Sequence, residues 1–313
     1  MSGTVRVSFV VLTCNRRAAV LRLAGQLAAL DDGATEVIVV DNGSTDGTTA
    51  ALAAACPQVV VVTLPRNTGT GGRNRGLERA TGEIVVTLDD DMVDFGSAQL
   101  AAVRRVFAEA PRLGAVTFTV TWPGTGRVRD WVHRRPIAAA GERFATYELT
   151  EGAVAFRRAA LAAAGPYRED FFISHEGIEL AYRLLDAGWD VVHDGRITVG
   201  HDHRREGRPG WRRYYYDTRN LFWVAVLHQP AGYAAGYLAR GLGAMLVYSV
   251  RDGQLPAWLR AVRDGLARVR ALRRERHPWT PRTAAWVRAA DRHRPGFFGL
   301  ARKRLFQKDF SLD

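Results

Sequence analysis

The sequence predicts an α/β protein with a doubly wound, mostly parallel sheet flanked by helices. Three observations support this fold class. Short apolar segments rich in β-branched residues alternate with segments whose apolar residues recur at helical spacing. This alternation continues through the first four predicted strands, as expected of parallel strands joined by helical crossovers. Each of these strands is followed by a polar or glycine-rich stretch, and in such a sheet these stretches face the ligand-binding crevice.

The predicted elements follow one another closely along the chain. Pro57 ends the second predicted helix, and Ser44 or Thr45 caps its start. The predicted strands are 5–12, 35–40, 59–64, 84–88, 115–121, 190–194 and 196–200. The predicted helices are 18–30, a segment ending at residue 56, a short helix opened by the glycine-rich loop 67–76, and 98–110.

Length and composition indicate a globular protein with a substantial core. The chain has 313 residues, of which 47% are hydrophobic, enough for one large domain or two smaller ones. Cys14 and Cys56 follow no metal or redox spacing, so we expect reduced thiols in a cytoplasmic protein. The first apolar run, 7–12, is too short for the core of a signal peptide.

The formal net charge of +12 is concentrated near the end of the sequence. Residues 251–308 contain 16 Lys or Arg against 4 Asp or Glu. Such a segment could meet nucleic acid, anionic lipid or an acidic substrate. It has no recognised base-reading motif, and its aromatic residues fall on apolar positions, so we expect no nucleic-acid partner.

Three consecutive carboxylates, Asp89, Asp90 and Asp91, follow the fourth predicted strand. Because like charges repel, a cation is expected beside them, and Mg²⁺ or Mn²⁺ is the usual oxygen-ligated choice at a phosphate site. On an extended chain Asp89 and Asp91 would point one way and Asp90 the other. An ordinary Asp-rich turn is the alternative interpretation.

Polar residues follow all four of the first strands and are expected to line one crevice. Thr13 and Asn15 follow the first strand, Asp41 the second, the loop 67–74 the third, and the carboxylates the fourth. A dinucleotide-binding Rossmann site is disfavoured because the loop after the first strand contains no glycine. The same absence argues against a sugar nucleotidyltransferase.

Four motifs in order resemble the family 2 glycosyltransferases of the GT-A fold, and specifically their inverting, rhamnosyltransferase-like members. They are Thr13-x-Asn15-Arg16, Asp41-Asn-Gly-Ser-Thr-Asp-Gly47, Asn67-x-Gly69 with Gly71-Gly-Arg-Asn-x-Gly76, and Leu88-Asp-Asp-Asp91. The resemblance covers roughly the first 220 residues and rests on ordered motifs rather than one pattern.

The resemblance implies where the donor and metal would bind. A nucleotide-sugar donor would be held together with Mn²⁺ or Mg²⁺. The implied nucleotide-binding residues are Thr13, Asn15, Asp41, Arg73, Asn74, Asp89 and Asp90. The implied metal ligands are Asp89, Asp91 and His201, with His201 preferred to His203. Segment 122–148 has no clear period and is either a flexible acceptor loop or an irregular insertion.

The expected general base falls where this chain departs from the family pattern. The family usually has Glu-Asp-x-Asp/Glu at the start of a helix, and the slot of its basic carboxylate is here Gly177. Glu176 is the predicted replacement, because a helix N-terminus stabilises the anion and the neighbouring glycine leaves room for an acceptor. His175 is an alternative base. Glu179 and Arg183 are predicted to form an ordinary helical ion pair.

The predicted domains are a GT-A domain, 1–220, and a helical, Arg-rich C-terminal extension, 221–313. Segment 221–250 is nearly free of charge, but Pro230 and four glycines weaken it as a membrane span. Segment 257–276 combines a basic and an apolar helix face. The extension therefore either rests on the inner face of the membrane or packs on the catalytic domain or on a second subunit; the oligomeric state is left open.

These observations predict a metal-dependent inverting glycosyltransferase. The expected acceptor is a glycan or lipid-linked sugar of a cell envelope or capsule, with a small natural product or a protein as alternatives. Because Gly177 cannot titrate, the competing hypothesis is a catalytically silent nucleotide-sugar-binding or scaffold protein.

Overall fold

The computed structural model describes residues 5–202 and 210–293, which contain nine strands and eleven α-helices. The strands are β1 (Val7–Thr13), β2 (Thr35–Asp41), β3 (Val60–Thr63), β4 (Ile84–Asp89), β5 (Met92–Val93), β6 (Leu113–Thr121), β7 (Arg143–Ala145), β8 (Ala153–Arg157) and β9 (Asp190–His201). The helices are α1 (Arg17–Ala28), α2 (Thr48–Ala55), α3 (Arg73–Arg79), α4 (Ser97–Glu109), α5 (Arg158–Ala164), α6 (Glu176–Asp186), α7 (Trp211–His228), α8 (Ala231–Arg251), α9 (Leu255–Ala267), α10 (Val269–Leu272) and α11 (Pro281–Ala290).

All the strands belong to one mixed sheet with the order β3-β2-β1-β4-β8-β6-β9-β5, and β7 also pairs with β9. The first four strands in that order are parallel, β8 runs antiparallel to β4 and β6, and β6 and β9 are again parallel. Thr13 pairs with Asp41, and Leu12 pairs with Asp89, so these strands end level with one another. The predicted α/β class with a mostly parallel sheet is confirmed.

Helices cover both faces of the sheet because alternate strand residues are apolar on both sides. On one face Phe9 and Val11 of β1 pack with Leu23 of α1 and Val103 of α4. On the other face Val10 of β1 belongs to a cluster that extends through α6 and α7. Strands buried on both faces have continuous apolar sequences, which is why the patterns of β1, β2 and β4 were unambiguous.

The two strands predicted at 190–194 and 196–200 are one strand, β9, interrupted by an irregularity. The pairing of β9 with β6 shifts between Phe118 and Thr119, where Asp194 and Thr198 are the successive partners. Gly195 lies in the extra segment. A bulge of this kind preserves the strand while breaking its alternation, so the sequence pattern looked like two elements.

Segment 122–148 is an irregular insertion packed on β9. It contains a 3₁₀ turn at Ile137–Ala139 and the short strand β7. Trp131 is buried, with its ring 5.2 Å from that of His193 and 6.1 Å from that of Phe144.

The predicted division after residue 220 falls inside α7, whose apolar residues share a core with α6. The predicted amphipathic segment 257–276 covers most of α9, all of α10 and a following 3₁₀ turn. Among the described residues, none of the helices combines the length and apolar character that crossing a bilayer requires. His203 and residues 294–313, which include part of the Arg-rich segment, lie outside the described residues.

Candidate active site

The loops after β1 and β2 are bound to each other at the carboxyl edge of the sheet. Asp41 is buried and accepts a hydrogen bond from the backbone N–H of Ser44 at 2.9 Å. Asn15 accepts one from the backbone N–H of Thr45 at 2.7 Å, and its own N–H donates to Ser44 Oγ at 2.8 Å. Thr13 is also buried here. The predicted residues Thr13, Asn15 and Asp41 therefore lie together.

The three consecutive carboxylates do not alternate as an extended chain would. Strand β4 ends at Asp89, and Asp90 begins a turn. Asp90 and Asp91 consequently both form ion pairs with Arg16, whereas Asp89 pairs with Arg73. We expected the side chain of Asp90 to point away from those of Asp89 and Asp91, as it would in a strand. That expectation is wrong, because the strand ends at Asp89.

Asp90 is held by the first loop. It accepts a hydrogen bond from Thr13 Oγ1 at 2.7 Å and lies 3.1 Å from a guanidinium nitrogen of Arg16. Burial raises the pKa of Asp90 to about 6, although Thr13 and Arg16 act in the opposite direction. Both of its oxygens are thereby engaged within the protein.

His201, at the end of β9, lies between two carboxylates. Its Nε2 is 3.1 Å from Asp91 Oδ1, and its Nδ1 is 2.6 Å from Asp130 Oδ2. Burial acts to lower the pKa of His201, but the hydrogen bonds with Asp130 and Asp91 raise it to about 9. Asp130 was missed by sequence reasoning, because it lies in the aperiodic segment 122–148 and carries no motif.

The predicted metal ligands meet only in part. Asp91 places a carboxylate oxygen, of the type that suits Mg²⁺ and Mn²⁺, beside an imidazole nitrogen of His201. Asp89 is instead drawn to Arg73, and the described part of the chain contains no cluster of three or more such side chains gathered around one point. The structure therefore brings two of the three predicted ligands, Asp91 and His201, side by side.

The glycine-rich loop is docked between the second strand and the segment before α6. The Asn42 side chain donates to the Gly69 carbonyl at 2.9 Å and accepts from the Thr68 N–H at 2.9 Å. The Thr70 N–H donates to the Phe172 carbonyl at 2.6 Å. Gly69 has a φ of +70°, and a Cβ there would overlap the Phe172 carbonyl oxygen. The close contact requires glycine at this position.

Arg73 and Asn74 face different parts of the protein. Asn74 is buried and forms two hydrogen bonds with the backbone of Tyr167, at 2.9 and 3.0 Å. Arg73 is fully buried, pairs with Asp89, and has its other terminal nitrogen 4.0 Å from Glu151 Oε2. Arg73 thus supplies a cation beneath the crevice, while Asn74 holds the turn around Tyr167.

The turn that leads into α6 has an unusual backbone. Phe172, Ser174 and His175 all have positive φ, at 65°, 74° and 68°. Asn220 of α7 stabilises this turn, donating from its side chain to the Ile173 carbonyl at 2.8 Å and to the Ser174 carbonyl at 2.7 Å. Strained backbone of this kind persists only where its surroundings enforce it, and it is common at functional sites.

Glu176, the predicted base, begins α6 and is only 2% exposed. Its Oε2 atom has no hydrogen-bond partner among the described residues. Burial raises the pKa of Glu176, and Arg73 and Thr70 offset this only in part. The alternative base, His175, has its Nδ1 2.8 Å from Ser174 Oγ, and burial lowers its pKa.

A second buried glutamate, Glu151, lies directly against Gly177. A Cβ on Gly177 would overlap Glu151 Oε1 and lie 3.0 Å from its Cδ atom. Neither carboxylate oxygen of Glu151 has a hydrogen-bond partner of normal geometry among the described residues, although Tyr167 lies near enough to lower its pKa. Sequence reasoning missed Glu151, because only the fold brings the residue before β8 beside the start of α6.

Glu179 is confirmed as a structural residue. It accepts two hydrogen bonds from Arg183 Nε, at 2.9 and 3.1 Å, and lies 2.9 Å from His228 Nε2. It is 1% exposed and faces the core between α6 and α7 rather than the crevice. It therefore holds two helices together.

Comparisons with known proteins bear on the family and the fold. The family model described as glycosyl transferase family 2 matches residues 8–163. The succinoglycan biosynthesis protein ExoO of Rhizobium meliloti (strain 1021) is 35% identical over 111 residues, which are 35% of this chain and 31% of that protein. The chain thus matches less than a third of that relative's length.

Solved structures share the fold at low sequence identity. The mannosyltransferase PcManGT from Pyrobaculum calidifontis, solved with GDP-Man and Mn²⁺, is 20% identical, with a TM-score of 0.55 over 98% of this chain and 89% of that one. S. aureus TarS 1-349 is 18% identical, with a TM-score of 0.58 over 96% and 92%. The glucosyl-3-phosphoglycerate synthase of Mycobacterium tuberculosis, solved with Mn²⁺ and UDP-glucose, is 21% identical, with a TM-score of 0.52 over 70% and 77%.

Proposed function

Since this chain belongs to the family 2 glycosyltransferases, we propose that it moves a hexosyl or deoxyhexosyl group from a nucleotide-diphosphate sugar to a hydroxyl, with inversion at the anomeric carbon. One observation carries this proposal. Two sets of ionisable side chains lie at the carboxyl edge of the sheet. One consists of Asp91 and His201, and the other consists of Arg73 with Asp89 and Glu151. The first suits a metal-bound diphosphate, and the second suits proton transfer from an acceptor.

In this proposal the loops after β1 and β2 hold the nucleotide. Thr13, Asn15 and Asp41 lie at the level ends of adjacent strands, where ligands of such sheets bind. Asp89 has a side chain that is 34% exposed, so it can reach a ribose hydroxyl while Arg73 holds it from behind. Asp90 supports this region through Thr13 and Arg16.

Asp91 and His201 would hold Mn²⁺ or Mg²⁺, with Asp89 as the further ligand that the sequence predicts. Mn²⁺ is present with the nucleotide sugar in the two neighbours solved with GDP-Man and UDP-glucose, which supports a divalent ion here. Such an ion, when bound, stabilises the charge of the departing nucleoside diphosphate. Arg16 lies beside Asp91 and can shift toward the diphosphate once a metal takes its place.

The acceptor hydroxyl would give its proton to the buried pair of carboxylates, Glu176 and Glu151. Glu176 is the base predicted from the sequence. Both lie near Arg73, so one buried cation faces them and Asp89 together. The acceptor class that the comparisons favour is a saccharide of an envelope or secreted polysaccharide, because ExoO is a succinoglycan biosynthesis protein.

We further propose that α8 and α9 rest on the cytoplasmic face of a membrane and bring the enzyme to a lipid-linked acceptor. Six large apolar side chains are exposed on these helices: Leu246, Val247, Val250, Leu255, Leu259 and Leu266. Basic residues, including Arg263, flank them and would meet anionic headgroups.

The direct experiment is release of nucleoside diphosphate from a panel of UDP-, dTDP- and GDP-sugars, with Mn²⁺ or with a chelator, in the presence of envelope glycolipid extract. Metal-dependent release from one donor is expected. The rival hypothesis, a silent nucleotide-sugar-binding protein, predicts donor binding by calorimetry without release from any sugar in the panel, and that result would overturn the proposal.

A further inference from the structure

We propose that Glu151 is the general base that accepts the proton of the acceptor hydroxyl, in the space that a side chain at position 177 would otherwise occupy. The proposal rests on the transferase function above and assigns its proton-transfer step. It differs from the sequence prediction, in which Glu176 had that role.

The first argument is the shape of the contact between Glu151 and Gly177. Gly177 lies in the first turn of α6, and its φ is not in the left-handed region. Backbone conformation therefore does not require glycine there. The lack of space requires glycine instead, because a Cβ at position 177 would overlap Glu151 Oε1 and lie 3.2 Å from Glu151 Cγ. The absence of a side chain at 177 is what admits the carboxylate of Glu151.

The second argument is that the Glu151 carboxylate is buried with only weak contacts, to Tyr167 and Arg73. Both oxygens are shielded from solvent, and neither accepts a hydrogen bond of normal geometry within residues 5–202 and 210–293. The nearest cation is Arg73, at 4.0 Å. Leaving a buried acceptor unfilled costs about 1–3 kcal/mol, so structural carboxylates are usually hydrogen-bonded. Glu179, on the same helix as Gly177, is hydrogen-bonded as a structural carboxylate usually is, with Arg183 and His228 as its partners.

The third argument is position. Glu151 immediately precedes Gly152, whose carbonyl accepts the Asp89 N–H at 3.2 Å, so it lies next to the end of β4. A Cβ at Gly152 would be 2.6 Å from Asp89 Oδ2, which shows how closely this turn approaches the predicted donor site. The turn that carries Glu151 therefore borders the predicted donor site.

The electrostatic setting suits a base that works near neutral pH. Burial, followed by repulsion from Glu176, raises the pKa of Glu151 to about 8, while Arg73 and Tyr167 oppose the increase. A general base is most effective when its pKa lies near the working pH. Arg73, Asp89, Tyr167 and Glu176 are the charged and titratable groups that act on it.

In the proposed step, the acceptor O–H proton moves to a carboxylate oxygen of Glu151. The acceptor oxygen forms a bond to the anomeric carbon as the bond from that carbon to the β-phosphate oxygen breaks. The nucleoside diphosphate leaves with the electron pair of that bond, and Glu151 later returns its proton to water. Glu176 acts as a positioning residue in this scheme, since repulsion from its carboxylate raises the pKa of Glu151.

The test compares wild type, Glu151→Gln and Glu176→Gln with the donor sugar and glycolipid extract that support wild-type release of nucleoside diphosphate. Glu151→Gln should lower kcat about 10²- to 10⁴-fold, the usual contribution of a general base. It should leave the Kd for the donor within about threefold, and it should remove the loss of activity on the acid side of the pH profile. Glu142→Gln changes an exposed glutamate in segment 122–148, and it is the matched control that should behave as wild type.

A variant with the carboxylate moved from position 151 to position 177 distinguishes a loss of catalysis from a loss of folding. The double variant Glu151→Ala/Gly177→Asp removes the carboxylate of Glu151 and places one on α6 in the same space. Its kcat should be at least about tenfold higher than that of Glu151→Ala. A double variant that binds donor but recovers nothing would count against the assignment, as would Glu151→Gln with kcat within threefold of wild type. If wild type itself releases no nucleoside diphosphate, the transferase function fails and the assignment of Glu151 falls with it.

Discussion

His201 Nε2 lies 3.1 Å from Asp91 Oδ1, which joins the end of β9 to the turn after β4. This contact combines the two ligand types of the proposed metal site, although the residues are far apart in the chain. The Asp91 carboxylate also pairs with Arg16, so the anion is already compensated before any metal binds. A bound metal would take the place of the Arg16 guanidinium beside Asp91, which needs little rearrangement of the carboxylate.

We expect Asp91→Asn to reduce nucleoside diphosphate release at least about a hundredfold and to weaken Mn²⁺ binding, because it removes a charged ligand. Calorimetry with Mn²⁺ and the donor measures the binding. Asp202→Asn is a suitable control, since Asp202 lies next to His201 but its partner is Arg22, at 3.5 Å. Full activity of Asp91→Asn in Mn²⁺ would contradict the metal assignment.

Arg73 is expected to be essential for stability as well as activity. Arg73→Met would leave Asp89 without its buried cation and would remove the charge nearest to Glu151. Breaking a buried pair from one side typically costs about 3–5 kcal/mol of unfolding free energy. Urea denaturation of Arg73→Met and of Arg75→Met, which alters a surface cation, would compare the two. Equal midpoints would show that the buried cation is not needed.

The glycine at position 69 is predicted to be required for its contact rather than for its conformation alone. Gly69→Ala should destabilise the protein and reduce activity, because the new Cβ would overlap Phe172 and shift the turn before α6. Gly33→Ala provides the control: Gly33 has a φ of +77° but an added Cβ there meets no atom within 4 Å. Similar thermal shifts in both variants would mean that only the positive φ matters.

Glu179 should make folding sensitive to acid. Burial acts to raise its pKa, but His228 and Arg183 lower it to about 2 in the folded protein. Because the folded pKa is depressed, the stabilisation is complete above the unfolded value of about 4.3 and is lost as the pH falls from there toward 2, a change of about 3 kcal/mol. The difference in unfolding free energy between wild type and Glu179→Gln should therefore shrink over that interval. A difference that does not change with pH would exclude this explanation.

Sequence reasoning reached the parts of the site that local pattern determines. Thr13, Asp41 and Asp89 could be placed because a buried strand can be read from its apolar run, and the residue after it must lie at the sheet edge. Asp130 and Glu151 could not be placed, because both lie on irregular backbone and only tertiary packing brings them beside His201 and Gly177. Gly177 was recognised as a departure, but only the fold shows which side chain fills its place.

The exposed apolar side chains of α8 and α9 lead to the last prediction. If these helices rest on a membrane, the protein should float with vesicles containing phosphatidylglycerol at low salt and less well at high salt, since apolar insertion and attraction to anionic lipid both contribute. Replacing Val247, Val250 and Leu259 with serine should abolish flotation, because these residues are 45%, 58% and 55% exposed. Val60→Ser, at an exposed position on β3, is the control and should float as wild type does. Wild-type protein that stays at the bottom of the gradient with anionic vesicles would exclude the membrane surface and leave packing on a second subunit as the explanation, which sedimentation equilibrium would then measure.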